Sequence, residues 1–244
     1  MISTPNRAKA CVFIFMSYAL AAPQSLLAAQ TWGGSVGLTS DYLVRGVSRS
    51  DHDPSLQADV HFAMANGFLA GVFVSSVQVA PGEKRNAELS AFVGFSWEGQ
   101  SSWRSKLVAS HYTYPWNPAG SKYDYDELNA DVGFSDWVTL AAMYSPNAPL
   151  YIPYRGLVAV AAKSTELNFQ IPLLRKLNAN AGVGFAHLSG PDGGGYSYWS
   201  LGCTYDLAPV TLTLAYVDTS YGATDLYYES AARNRWTGTI IWRF

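Results

Sequence analysis

The sequence predicts an all-β protein: a closed antiparallel transmembrane up-and-down β-barrel of about twelve strands. Three observations carry that prediction. Apolar and polar residues alternate with period two over segments of about ten residues, the length a tilted strand needs to cross a bilayer. The connectors between segments are short and long in turn. The last ten residues, "RWTGTIIWRF", put Trp236, Gly238, Ile240, Trp242 and Phe244 on one face and Arg235, Thr237, Thr239 and Arg243 on the other.

Composition supports this class. The 244 residues are 49% hydrophobic but only 14% charged, below the quarter usual for soluble domains. A net charge of −2 gives no case for nucleic-acid binding. At the N-terminus, Arg7 and Lys9 precede the apolar run "CVFIFMSYALAA" and then small residues. This is the layout of a secretory signal. Residues 1–29 are expected to be a cleaved signal peptide and 30–244 a single outer-membrane barrel domain. Cys11 leaves with the signal, so Cys203 is the one mature cysteine and no intramolecular disulfide forms.

The strands follow in order, near 35–47, 55–65, 68–79, 87–97, 103–114, 125–135, 137–144, 157–171, 177–188, 196–207, 210–219 and 235–244. The clearest alternation lies in "SLQADVHFAM", "AELSAFVGFSW", "DELNADVGFS" and "SYWSLGCTYDL". Asn66-Gly67 is a tight hairpin turn, and 98–101, 135–136, 172–176 and 208–209 are also short. Longer connectors occupy 48–54, 80–87, 115–124, 145–155, 189–196 and 219–234. Short turns at one end and long loops at the other are the pattern of periplasmic turns and extracellular loops. Trp97, Trp103, Tyr112, Tyr114, Trp116, Trp137 and Tyr144 gather near strand ends, where interfacial girdles sit. In such a barrel the apolar face meets lipid and the polar face lines the lumen.

That assignment decides where the charges of "SDYLVRGVSRSDHDP" (40–54) point. Asp41 and Arg45 share a face and are expected to enter the lumen, since an Arg on the lipid face at mid-membrane costs about 2–4 kcal/mol. The other inward candidates are Asp59, His61, Glu88, Arg104, Lys106, Glu127, Asp131, Glu166, Arg235 and Arg243. First and last strands are neighbours in a closed barrel, so Asp41 and Arg45 are expected to meet Arg235 or Arg243 across the seam. Trp242 and Phe244 form the terminal signal that barrel assembly machinery reads.

The same stretch resembles the N-terminal signature of the TorF-type porin family, a proteobacterial outer-membrane family of unknown function. Gly37, Thr39, Ser40, Asp41, Tyr42, Arg45, Gly46, Ser48 and Ser50 fill the pattern G-x-T-S-D-Y-x-x-R-G-x-S-x-S within residues 36–73. The resemblance implies an outer-membrane channel of unproven substrate and supplies no catalytic residues. The segment "SPNAPLYIPYRGLVAVAAKS" is longer and more apolar than the family pattern suggests.

Other motifs carry less. His52, His61, His111 and His187 are scattered without metal-ligand spacing, so no metal site is expected. Asp51, His52 and Asp53 form a cluster in the first outer loop and read as solvated. "GPDGGGYSY" (190–198) lacks the lysine of a phosphate loop and reads as an outer loop. The aromatic stretches "YTYPWNPAGSKYDY" and "DLYYES" read as interfacial anchors in preference to sugar-stacking platforms. The expected function is passive diffusion of small polar solutes through a narrow pore in the bacterial outer membrane. No cofactor is expected; the partners are outer-membrane lipid and lipopolysaccharide. A non-conducting structural or adhesion barrel and an outer-membrane enzyme are the alternatives.

Overall fold

The computed structural model describes residues 31–78, 85–98, 102–116, 123–152, 155–190 and 193–244. The expected signal peptide and parts of five connectors lie outside the described residues. The strands are β1 (Thr31–Thr39), β2 (Leu43–Val44), β3 (Val47–Ser48), β4 (Ser55–Ala63), β5 (Phe68–Val77), β6 (Asn86–Glu98), β7 (Trp103–Thr113), β8 (Tyr125–Phe134), β9 (Val138–Ile152), β10 (Gly156–Leu174), β11 (Leu177–Leu188), β12 (Gly194–Leu207), β13 (Val210–Thr219) and β14 (Arg235–Arg243). Two short helices, α1 (Gly222–Leu226) and α2 (Glu229–Ala232), lie between β13 and β14. Among the described residues no helix is long and apolar enough to cross a membrane.

Twelve of these strands form a closed barrel, in which each pairs with its sequence neighbours and β1 closes on both β4 and β14. All the ladders are antiparallel, as short direct connections require. The remaining pair, β2 and β3, makes a separate two-stranded sheet.

Alternation is realised as two environments. Ser55, Gln57 and Asp59 on β4 are buried, and so are Glu88, Ser90 and Phe92 on β6. Their neighbours Leu56, Val60, Leu89 and Val93 are exposed on the outside. Val72, Leu140, Leu201 and Ile240 are each half or more exposed at 50%, 55%, 59% and 51%. An apolar band of that extent around the whole circumference fits lipid and not water. Aromatic residues flank the band: Trp97, Trp103, Phe134, Trp137 and Trp242 at the short-turn end, and Tyr144, Trp199 and Trp236 towards the long-loop end.

Three expected elements differ. The first strand ends at Thr39 and does not continue to residue 47; the chain leaves the barrel wall there. The seventh, expected over 137–144, runs from Val138 to Ile152, and with β10 it builds a hairpin through the expected loop 145–155. Beyond Tyr144, β9 pairs with β10 alone. It is therefore an edge strand, where Pro149, which has no N–H to donate, is tolerated. The glycine-rich stretch is largely strand, because β12 begins at Gly194.

Candidate functional site

Residues 40–54 fold back into the outer mouth of the barrel, and the geometry follows from the local sequence. Val44-Arg45-Gly46-Val47 is a two-residue hairpin with φ of 52° at Arg45 and 80° at Gly46. Both central residues are left-handed, as the turn type that matches strand twist demands. Gly46 is required twice over: a Cβ there would lie 2.7 Å from Thr219 Cγ2 and 2.9 Å from Tyr198 Cβ. The hairpin tip therefore abuts the β12–β13 wall.

Asp41 holds the base of the hairpin. Its Oδ1 accepts from Ser48 Oγ at 2.6 Å and Ser50 Oγ at 2.9 Å, and its Oδ2 from Arg235 Nη1 at 2.8 Å. The backbone N–H of Tyr42 donates to Ser50 Oγ at 2.9 Å, and that of Arg49 to the Tyr42 carbonyl at 2.7 Å. Ser48 and Ser50 of the signature thus satisfy the aspartate and the backbone of the loop, as buried polar groups require, while Ser40 Oγ accepts from the Gly238 N–H on β14 at 2.9 Å.

The tip is anchored across the lumen. Arg45 Nη2 donates to both oxygens of Glu127, at 2.9 and 3.1 Å, and its Nε donates to Ser164 Oγ at 3.1 Å. Burial acts to lower the Arg45 guanidinium; Glu127, and then Tyr198, Tyr125 and Tyr112, outweigh it and hold the group above its ordinary value. The Arg45 guanidinium therefore keeps its charge.

Three inward glutamates on alternate strands each accept from tyrosine. Glu88 on β6 takes Tyr42 at 2.8 Å and Tyr114 at 2.5 Å. Glu127 on β8 takes Tyr112 at 3.4 Å, and Glu166 on β10 takes Tyr198 at 2.8 Å and Asn168 at 2.6 Å. Tyr112 also stacks on Tyr125, with centroids 4.3 Å apart and planes at 4°. On the opposite wall Ala223, Leu226 and Ala232 of the two helices pack with Val47, Leu188, Tyr196 and Tyr198. Between hairpin and wall remains a cavity of about 30 Å³ bordered by Arg45, Arg49, Tyr125, Glu127, Tyr196 and Tyr227. That is room enough for water.

The other inward candidates lie below the hairpin or at the far end. Asp59 holds His61 Nδ1 at 2.7 Å and also accepts from Ser35 Oγ. Lys106 meets Asp131 at 3.2 Å, and Arg104 meets Asp136 at 2.5 Å. Arg243 reaches Thr211 at 2.7 Å at the short-turn end. Half of the expected seam contact forms, as Asp41 with Arg235. Arg45 is not at the seam, because it leaves the wall with the hairpin and crosses to β8, and Arg243 sits at the wrong end to meet either residue. Trp242 and Phe244 face outward, their rings 5.0 Å apart, and Phe244 exchanges backbone hydrogen bonds with Gly34 at 3.0 Å.

The tyrosines are what sequence reasoning missed. Tyr112 and Tyr114, expected in the girdle, are 5% and 2% exposed inside the mouth. Strand parity would have found the first, since Tyr112 shares its face with Ser110 and Lys106. The Asp51–His52–Asp53 cluster ties loops together: Gln78 donates to Asp51 at 3.2 Å, Arg85 pairs with Asp53 at 2.8 Å, and a His52 ring nitrogen lies 2.5 Å from the Ser230 carbonyl. It aims at no side-chain nucleophile among the described residues. Those residues contain no group of three or more metal-ligating side chains either.

Comparison with known proteins agrees with this geometry at the level of fold. The sequence model of the Gcw_chp family, described as a bacterial protein of unknown function, matches residues 24–243. No curated protein matches the chain in sequence. Among solved structures, KdgM porin is 11% identical with a TM-score of 0.51, over 88% of this chain and 99% of that one. NanC porin is 8% identical with a TM-score of 0.55, over 86% and 98%. The COG4313 outer membrane channel from Pseudomonas putida F1 is 10% identical with a TM-score of 0.54, over 89% and 96%.

Proposed function

We propose that the chain, which belongs to the Gcw_chp family of bacterial proteins of unknown function, is a porin-like channel of the outer membrane that passes small polar solutes by passive diffusion. The observation that carries this reading is the two-sided barrel: apolar side chains face outward around the circumference while Ser, Thr, Asn, Gln and paired charges face inward. A structural barrel would not need an inward face with so many short polar residues. The TorF-type signature supports the same assignment, and the terminal Trp242 and Phe244 support delivery by the barrel assembly machinery. The hairpin 40–54 sets the constriction, and its ion pairs determine how often the mouth is open.

A second reading has a specific observation behind it. The hairpin is tied to three walls of the mouth, through Glu88, Glu127 and Arg235, which favours a non-conducting barrel if it never moves. Planar-bilayer recordings separate the two. We expect discrete conductance steps from the wild-type protein, and larger or more frequent steps when residues 42–49 are replaced by a short glycine-serine linker. A silent bilayer for both proteins, each shown to be folded by its heat-modifiable mobility, would reject the channel.

A further inference from the structure

We propose that Lys163, His187 and Tyr144 form a binding site on the outside of the barrel for the phosphate of an outer-leaflet saccharolipid. The inference rests on the outer-membrane reading above. Lys163 on β10 is the ladder partner of Tyr144 on β9 and of His187 on β11. The residues flanking each of them point inward: Ala162, Ser164, Met143, Ser145, Ala186 and Leu188 are all buried. Alternation therefore turns the three side chains outward. Lys163 is exposed and Tyr144 is 52% exposed.

Their depth is set by what lies below them. Outward positions nearer the short-turn end carry Leu140 on β9, Phe169, Ile171 and Leu173 on β10, and Val183 and Phe185 on β11. The row stands at the upper edge of this apolar band, at the level where a tyrosine girdle marks lipid headgroups. Among the described residues neither the Lys163 ammonium nor the His187 ring has a hydrogen-bond or ion-pair partner. His111 is placed differently. That residue is also exposed on the outer face, but Asp126 pairs with it at 2.8 Å. Among the described residues no acid pairs with Lys163, so we look to the surroundings for its counter-charge.

Cross-strand neighbours in an antiparallel ladder stand about 4.5–5.5 Å apart. An ammonium, an imidazole N–H and a phenol on three adjacent strands can thus converge on one tetrahedral oxyanion, with the lysine stem lying along the apolar wall. A phosphorylated sugar anchored by acyl chains presents such an anion at this depth, while its chains cover the band below. The ring of Tyr144 offers a face for the sugar.

The test uses the full barrel in detergent micelles and native mass spectrometry. The probes are diphosphoryl lipid A, monophosphoryl lipid A and a zwitterionic phospholipid. We expect wild-type protein to retain lipid A in preference to the zwitterion, diphosphoryl above monophosphoryl. Lys163→Gln is expected to weaken retention about fivefold, the usual worth of one lysine near an anionic surface, and His187→Gln is expected to weaken it less, by the loss of a hydrogen-bond donor. Heat-modifiable mobility should be unchanged, because both side chains are outside the packed interior. Inorganic phosphate at millimolar concentration should not displace the lipid. Equal retention by wild type and the double variant overturns the site, as does displacement by inorganic phosphate. Insertion into liposomes, read by protease protection, is measured in parallel. Failure to insert overturns the outer-membrane reading together with the site, whereas insertion without lipid discrimination overturns the site alone.

Discussion

Glu127→Gln isolates the contact that holds the hairpin in the mouth. The side chains of Arg45 and Glu127 are 11% and 3% exposed, so removing the carboxylate charge leaves a guanidinium nearly out of water with only neutral acceptors, the new amide oxygen and Ser164 Oγ. Breaking one side of a buried pair typically costs 3–5 kcal/mol; the lower value suits a lumen with some water. Arg45 also holds φ at 52°, a conformation that costs a non-glycine residue about 1 kcal/mol and that the ion pair offsets. A loss of about 3 kcal/mol shifts the ratio of docked to undocked hairpin by about two powers of ten. In planar bilayers Glu127→Gln should then raise the open fraction strongly, with the same single-channel ion conductance in the open state. Arg45→Gly removes the orphaned charge and suits the positive φ. The double variant R45G/E127Q should therefore unfold in urea at higher denaturant than E127Q alone, with a coupling of about 2 kcal/mol. Additive effects on unfolding together with unchanged recordings would show that the pair neither secures the hairpin nor controls the pore.

Two further outcomes follow from the barrel itself. A Cβ at Gly184 would lie 2.3 Å from Tyr198 Cζ and 2.5 Å from its hydroxyl, so Gly184→Val should push Tyr198 off Glu166 and destabilise the barrel by about 1–3 kcal/mol; thermal unfolding in detergent checks this, and an unchanged midpoint would refute it. In a Cys203→Ser background, cysteine placed at Gly194 should react with a membrane-impermeant maleimide on intact cells while cysteine at Asn66 stays unlabelled; the opposite pattern would invert the barrel.

The wall of the barrel was legible because each strand sees two different environments, and period two records both. The register of charges was legible for the same reason: Asp59, Glu88, Glu127 and Glu166 all fall on the buried parity. The hairpin was not. "DYLVRGVS" alternates well enough to pass for a continuing strand, and an arginine at the first position of a left-handed turn is a weak turn signal compared with Asn or Asp. What fixes that turn is Glu127, a residue 82 positions away, and no local window contains it. The β9–β10 projection was hidden by Pro149 and Asn147, which read as loop residues in any strand that has partners on both sides. Tyr112 and Tyr114 were assigned by residue type to the girdle, although aromatic character says nothing about which side of a wall a ring occupies.

The Asp41–Arg235 contact joins positions 194 residues apart, one just past the first strand and the other opening the last. The ladder between those strands has five paired residues, Ser35–Thr39 with Arg243–Thr239, against nine between β1 and β4. The shortest join in the wall is thus the one spanned by the base of the hairpin. The aspartate finds its arginine only after β14 has arrived beside β1, because before then its counter-charge is at the far end of an unfinished sheet. Closure of the cylinder and the seating of the hairpin base therefore share one contact, and neither Asp41 nor Arg235 has this partner in a sheet that is still open.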